Sequence, residues 1–91
     1  MSLSKEDAVK RARADLARRL NISEAEVKQD SVEDASFPDA ALGAPVEEEM
    51  SAQMITQGWR IRLSAGNTGY EYRAGKDQLR LYNFKGSNHR I

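Results

Sequence analysis

The chain has no cysteine. A disulfide framework, a thiolate zinc site and a cysteine nucleophile are therefore excluded, and the fold must hold by packing alone. It has one histidine, His89, close to the C-terminal end and with no second imidazole or thiol to join it. That rules against a zinc centre and a Ser-His-Asp triad, and His89 reads as an exposed side chain. Prolines number two, Pro38 and Pro45, and they bracket a single segment. No apolar run approaches the roughly 20 residues of a membrane-spanning helix. Met1-Ser2-Leu3-Ser4-Lys5-Glu6-Asp7 is polar and acidic where a secretory signal would be basic and then apolar. As written the chain reads as soluble and cytoplasmic; a secretory or lipoprotein leader removed beforehand would leave the same residues. At 91 residues one domain is expected, able to bury roughly 60 to 70 per cent of its unfolded surface around one modest core.

The net charge is zero, but it is segregated. Residues 1 to 23 carry six basic side chains against three acidic, residues 24 to 49 carry nine acidic against Lys28 alone, and residues 50 to 91 carry seven basic against Glu71 and Asp77. Such blocks either orient a charged partner or neutralise one another within the fold. In a chain of this size neutralisation is the favoured expectation.

Ser4 is placed to cap a helix, with Glu6 and Asp7 favourable against its dipole. Val9, Ala12, Leu16 and Leu20, with Ala8 beside them, recur at spacings of three and four and make one apolar stripe of a helix ending near Leu20. Asn21 suits the helix end, and Ser23-Glu24-Ala25-Glu26 reads as a capping box or equally as a loop. From Val27 to Phe37 acids interrupt the alternation, predicting a bulged or edge strand stopped by Pro38. A further extended stretch begins near Met54. Trp59-Arg60-Ile61-Arg62-Leu63-Ser64 alternates over six positions, Ala65 to Gly69 supplies a hairpin loop, and Tyr70 to Arg73 returns. Gly75-Lys76-Asp77-Gln78 turns again into Leu79 to Phe84, while residues 85 to 91 read as a frayed tail. The expectation is an α+β domain: an N-terminal amphipathic helix on an antiparallel sheet of three or four strands.

Phe37-Pro38-Asp39-Ala40-Ala41-Leu42-Gly43-Ala44-Pro45 is the longest irregular segment and carries a resemblance. Together with the helix, the Ser-x-x-Glu turn, the acidic strand, Gly58-Trp59-Arg60-Ile61-Arg62-Leu63 and Tyr70-Glu71-Tyr72-Arg73, it resembles a family of small uncharacterised bacterial proteins and secreted or lipoprotein domains. That family's signature is approximately Trp-Pro-Asp-x-Ser-Leu-Gly-Cys-Pro, followed by Gly-Tyr-x-Ile-x-Leu and Tyr-x-Tyr-His, and the likeness covers roughly residues 8 to 75. Pro38, Asp39, Leu42, Gly43 and Pro45 are kept, but Phe37, Ala41, Ala44 and Arg73 stand where the signature has Trp, Ser, Cys and His. A family function using that thiol or imidazole does not carry over to this chain. The helix followed by a meander is also similar in topology to PepSY-type domains, small modules associated with peptidase regulation.

No catalytic, cofactor or metal site assembles from these residues. Asp39 reads as a loop aspartate capping backbone, since no partner tunes it as an acid or base. Gly43 supplies a backbone conformation closed to other residues, and Leu42 anchors the loop. Glu47-Glu48-Glu49 point in different directions with no glycine-punctuated acidic loop around them, so they read as a solvated stretch. Ser64, Thr68 and Ser87 have no base nearby. Two candidate surfaces remain. One is a contact loop of Phe37, Asp39, Leu42 and Gly43; the other is a basic sheet face of Arg60, Arg62, Arg73 and Arg80 with Tyr82, which could contact phosphates while a ring stacks a base. Zero net charge and the acids of the middle segment argue against nucleic acid. The leading expectation is a non-catalytic binding or regulatory module that recognises a protein or peptide by an exposed sheet edge or by the loop.

Overall fold

The computed structural model describes residues 3–46, 49–50, 53–75 and 78–91. The expected solvated pair Glu47-Glu48 and turn residues Lys76-Asp77 lie outside the described residues. Helix α1 spans Lys5–Leu20, with the Ser4 hydroxyl accepting from the Asp7 N–H at 3.1 Å. Asn21 ends it in the left-handed conformation, φ 57°, where its side chain is tolerated better than most. A single 3-10 turn, Glu24–Glu26, follows, and the Ser23 N–H donates to the Glu26 carboxylate at 3.0 Å.

Five strands complete the fold: β1 Lys28–Phe37, β2 Thr56–Ala65, β3 Thr68–Gly75, β4 Gln78–Phe84 and β5 Ser87–Arg90. They form one antiparallel meander in the order β1-β2-β3-β4-β5. The count is therefore five, not three or four. The extra strand comes from the tail expected to fray. Lys85 and Gly86 both take positive φ, 52° and 84°, which matches a two-residue hairpin loop to the twist of its flanking strands. Phe84 then faces Ser87, Leu81 faces His89, and the Ile91 N–H donates to the Leu79 carbonyl at 2.9 Å. His89 is half-buried there, its ring edge-on to Phe84 at 5.9 Å.

The first face of the sheet carries the main core. Ile61, Tyr72 and Leu81 fall in one cross-strand row, and Trp59, Ala74 and Leu79 in the next. Against them α1 buries Ala8, Ala12, Leu16 and Ala17. Alanine at the contact lets the helix lie close to the sheet, while Val9 and Leu20, expected in the stripe, are only partly buried at its border.

One buried position of the helix is not apolar. Asp15 is 3% exposed, and its Oδ2 accepts from the Tyr72 hydroxyl and from Arg19 Nε, both at 2.7 Å, while Oδ1 accepts from Arg18 at 2.8 Å. Tyr72 is itself fully buried. Burial first, then the neighbouring Asp15 carboxylate, push its hydroxyl well above the ordinary tyrosine range, so it remains a donor. The helix is thus tied to the middle of the sheet by a charged hydrogen bond as well as by packing.

Candidate functional site

The second face of the sheet has a composition set by register. Ala35, Gly58, Gly75 and Gln78 align across four strands as a row of small residues ending in an amide. The next row is Glu33, Arg60, Arg73, Arg80 and Arg90, and the one after is Ser31, Arg62, Glu71 and Tyr82. A trough thus lies beside a line of guanidiniums.

The segment after β1 fills the trough. Leu42 is fully buried, with its Cδ2 2.9 Å from where a Cβ on Gly75 would stand. Phe37, Ala41, Ala44 and Thr56 are buried around it. Asp39 ties the segment to itself, Oδ1 accepting from the N–H groups of Ala41 at 2.9 Å and Gly43 at 3.0 Å. Leu42 and Gly43 both take positive φ, 59° and 67°. For leucine this costs about 1 kcal/mol, less than the ~2 kcal/mol that burying its side chain contributes. Their carbonyls then turn toward one cation. Arg73 Nη1 donates to Leu42 O at 3.1 Å and Gly43 O at 3.0 Å. Its guanidinium lies 3.8 Å from the Tyr82 ring centre and 5.6 Å from that of Phe37. Gln78 donates to Ala40 O at 2.7 Å, and Asn88 to Pro45 O at 2.8 Å.

Arg80 closes the far end of this strap. It is 3% exposed and meets Glu49 in a two-pronged pair at 2.5 and 2.7 Å, with Ala44 O at 3.3 Å. Glu49 is therefore bound, unlike a solvated acid, and its neutralisation of Arg80 follows the favoured expectation for the acidic block. The Arg80 hydrogen bond, outweighing the opposing effect of burial, lowers the Glu49 carboxyl from 4.5 to about 2. A folded-state value below the unfolded one means stability present above the unfolded pKa and lost as pH falls toward the folded one. Glu49→Gln should thus be less stable than the parent by roughly 2 kcal/mol at pH 7. That difference should shrink between pH 4.5 and pH 2, as read by urea unfolding. A difference independent of pH would show that the ion pair does not hold the strap.

The strap covers only one end of the second face. At the other, an open groove of about 560 Å³ is lined by Asp30, Ser31, Arg62, Glu71, Tyr82 and Asn83, with Leu63, Gly69 and Tyr70 completing it. A bulge between Gln29 and Ser31 places Asp30 and Ser31 together on its rim, and the Ser64 hydroxyl donates to Asp30 at 3.1 Å. Glu71 is its central acid, within 2.8 Å of Arg73, 3.3 Å of Arg60 and 3.9 Å of Arg62.

The two candidate surfaces thus take distinct forms. In the candidate contact loop, Phe37 and Leu42 face inward, Asp39 is engaged with its own loop, and Gly43 is half-buried under Arg73. Of the basic face, Arg73 and Arg80 are spent on the strap, while Arg60 and Arg62 keep 32% and 53% of their side-chain exposure. Asp15 was not singled out in the sequence, Tyr72 was read only as part of a strand, and Glu49 only as part of a solvated stretch. Asp15 had a readable signal, since positions 8, 12 and 15 continue the stripe spacing.

Among the described residues no helix is long and apolar enough to cross a membrane, and no three His, Cys, Asp or Glu side chains are grouped to hold a metal ion. No curated protein and no solved structure matches the chain. One family does, DUF8738, a domain of unknown function, over residues 9–82, from the first turns of α1 to Tyr82 in β4. That span holds all but the first four residues of the helix, the strap through Pro45 and all the groove residues except Asn83, and the chain belongs to the DUF8738 family.

Proposed function

We propose that this domain is a non-catalytic binding module that recognises an extended protein segment added to the outer edge of β1. The observation that carries the reading is the length of that edge. β1 has ten residues, pairs only with β2 among the described residues, and from Ser31 to Phe37 runs in unbroken register. The opposite edge is the four-residue β5, the short kind that resists addition. An open ladder of N–H and C=O groups supplies affinity, and the side chains beside it supply selectivity.

Those side chains are acidic. Glu33 and Asp34 are neighbours on opposite faces of β1, and Asp30 stands at the bulge. A second copy pairing β1 to β1 would set carboxylates near one another, so the favoured occupant is a segment with lysine or arginine among β-branched residues. The helix-on-meander likeness to PepSY-type domains supports a regulatory role for such binding, as analogy.

The test uses a peptide of alternating lysine and valine and its glutamate and valine counterpart. The lysine peptide should slow hydrogen exchange at β1 amides. Glu33→Lys combined with Asp34→Lys should weaken it at least about tenfold, given two reversed pairs of several tenths to 1 kcal/mol each. Protection at β5 instead, or equal binding of both peptides, would remove the proposal.

A further inference from the structure

We infer that the open groove is a binding site for a single carboxylate joined to an aromatic or apolar body. The inference does not depend on strand addition at β1. It starts from an imbalance. Three guanidiniums, those of Arg60, Arg62 and Arg73, surround the one carboxylate of Glu71. Arg73 makes its closest contact there at 2.8 Å and directs Nη1 to the two strap carbonyls. Arg60 Nε lies 3.3 Å from Glu71 as an ion pair, and Arg62 stands 3.9 Å from it, beyond hydrogen-bond reach. Arg62 lines a groove large enough for a small molecule, and Arg60 stands at the adjacent same-face position of β2. Planar guanidinium forks match a carboxylate with two parallel hydrogen bonds.

The rest of the groove narrows the ligand. Tyr82, 36% exposed, offers a ring wall whose orientation is steadied by Arg73 stacked at 3.8 Å. That wall suits an aromatic or apolar group attached to the acid. On the β1 side Asp30 lines the site, and Glu33 faces Arg60 in the next row. A compact anion can seat on Arg62 without passing them, whereas a nucleic-acid backbone would run its next phosphates against two carboxylates. The carboxylate could belong to a free small acid or to the last residue of a peptide.

Phenylacetate is the probe, titrated into the isotope-labelled protein and followed by amide shifts, with phenylacetamide as its neutral counterpart. Phenylacetate should shift the amides of Arg62, Glu71 and Tyr82, phenylacetamide should not, and Arg62→Gln should weaken binding by at least about tenfold, as losing a charge-assisted hydrogen-bond pair does. Arg62 is half-exposed, so the variant should unfold at the same temperature as the parent, and Arg60→Gln provides a second reading of the same charge. A tetrapeptide ending in phenylalanine, free or amidated at its C-terminus, separates the sources. Tighter binding of the free peptide than of phenylacetate assigns a protein terminus, and equal or weaker binding assigns a small acid. Equal shifts from phenylacetamide, no shifts at all, or unchanged binding in both variants would overturn the inference. So would a single-stranded oligothymidylate binding the groove more tightly than phenylacetate.

Discussion

Gly58→Ala should destabilise the protein by about 3 kcal/mol or more, the high end for adding one methyl to a closed site. A Cβ at position 58 would stand 1.9 Å from the carbonyl oxygen of Ala74, and 2.9 Å from the Ala74 carbonyl carbon and from Gly75 Cα. All three atoms are backbone of the neighbouring strand, so no flexible side chain can swing aside. The two strands must separate at the very row where Leu42 sits, and the loss therefore includes part of the strap's packing. For a domain of this size the fall in melting temperature should be roughly 12 to 24 °C. Gly69→Ala is the matched control, because nothing lies within 4 Å of its added Cβ. Circular dichroism melts of the two variants make the comparison. If Gly58→Ala melts with Gly69→Ala, the strands do not approach as closely as described.

Asp15→Ala should lose a similar amount, about 3 kcal/mol. Removing one partner from a buried charged cluster leaves the others without an acceptor. The Tyr72 hydroxyl would be stranded in the core, and Arg19, whose side chain is 24% exposed, would lose its only carboxylate among the described residues. Arg18 contributes little, being 77% exposed. Tyr72→Phe separates the parts. It removes the stranded donor while keeping the ring, so alone it should cost about 1 kcal/mol. Added to Asp15→Ala, it should restore some stability instead of removing more. Additive losses in the double variant, measured by urea unfolding, would show that the two side chains do not act as a pair.

The helix, its caps and the three middle strands were legible because their signals are local. Ser4 caps and Asn21 terminates through atoms a few residues away, and the alternation of Trp59, Ile61 and Leu63 needs only the strand's own period of two. β5 was not legible from apolar alternation, since Ser87-Asn88-His89-Arg90 has none. Its one cue was Gly86, which accepts the positive φ of a tight hairpin loop without steric cost. Leu42 was readable as an anchor, but its own left-handed backbone was not. That conformation is held by Asp39, Arg73 and the trough together.

Sequence alone determined the helix with its apolar face, the meander that receives it and the irregular character of Phe37 to Pro45. Each follows from covalent and near-neighbour preferences. Tertiary structure decided which arginines are free. Arg60, Arg62, Arg73 and Arg80 are equivalent as a pattern, yet register aligns Arg60, Arg73 and Arg80 in one row, and the strap claims the last two. Arg60 and Arg62 remain beside a single shared carboxylate at the open end of the sheet. The physical reason is that the charge left at a surface is a sum over contacts between residues about 30 positions apart, such as Arg73 with Gly43 and Arg80 with Glu49. No local rule of spacing contains that sum.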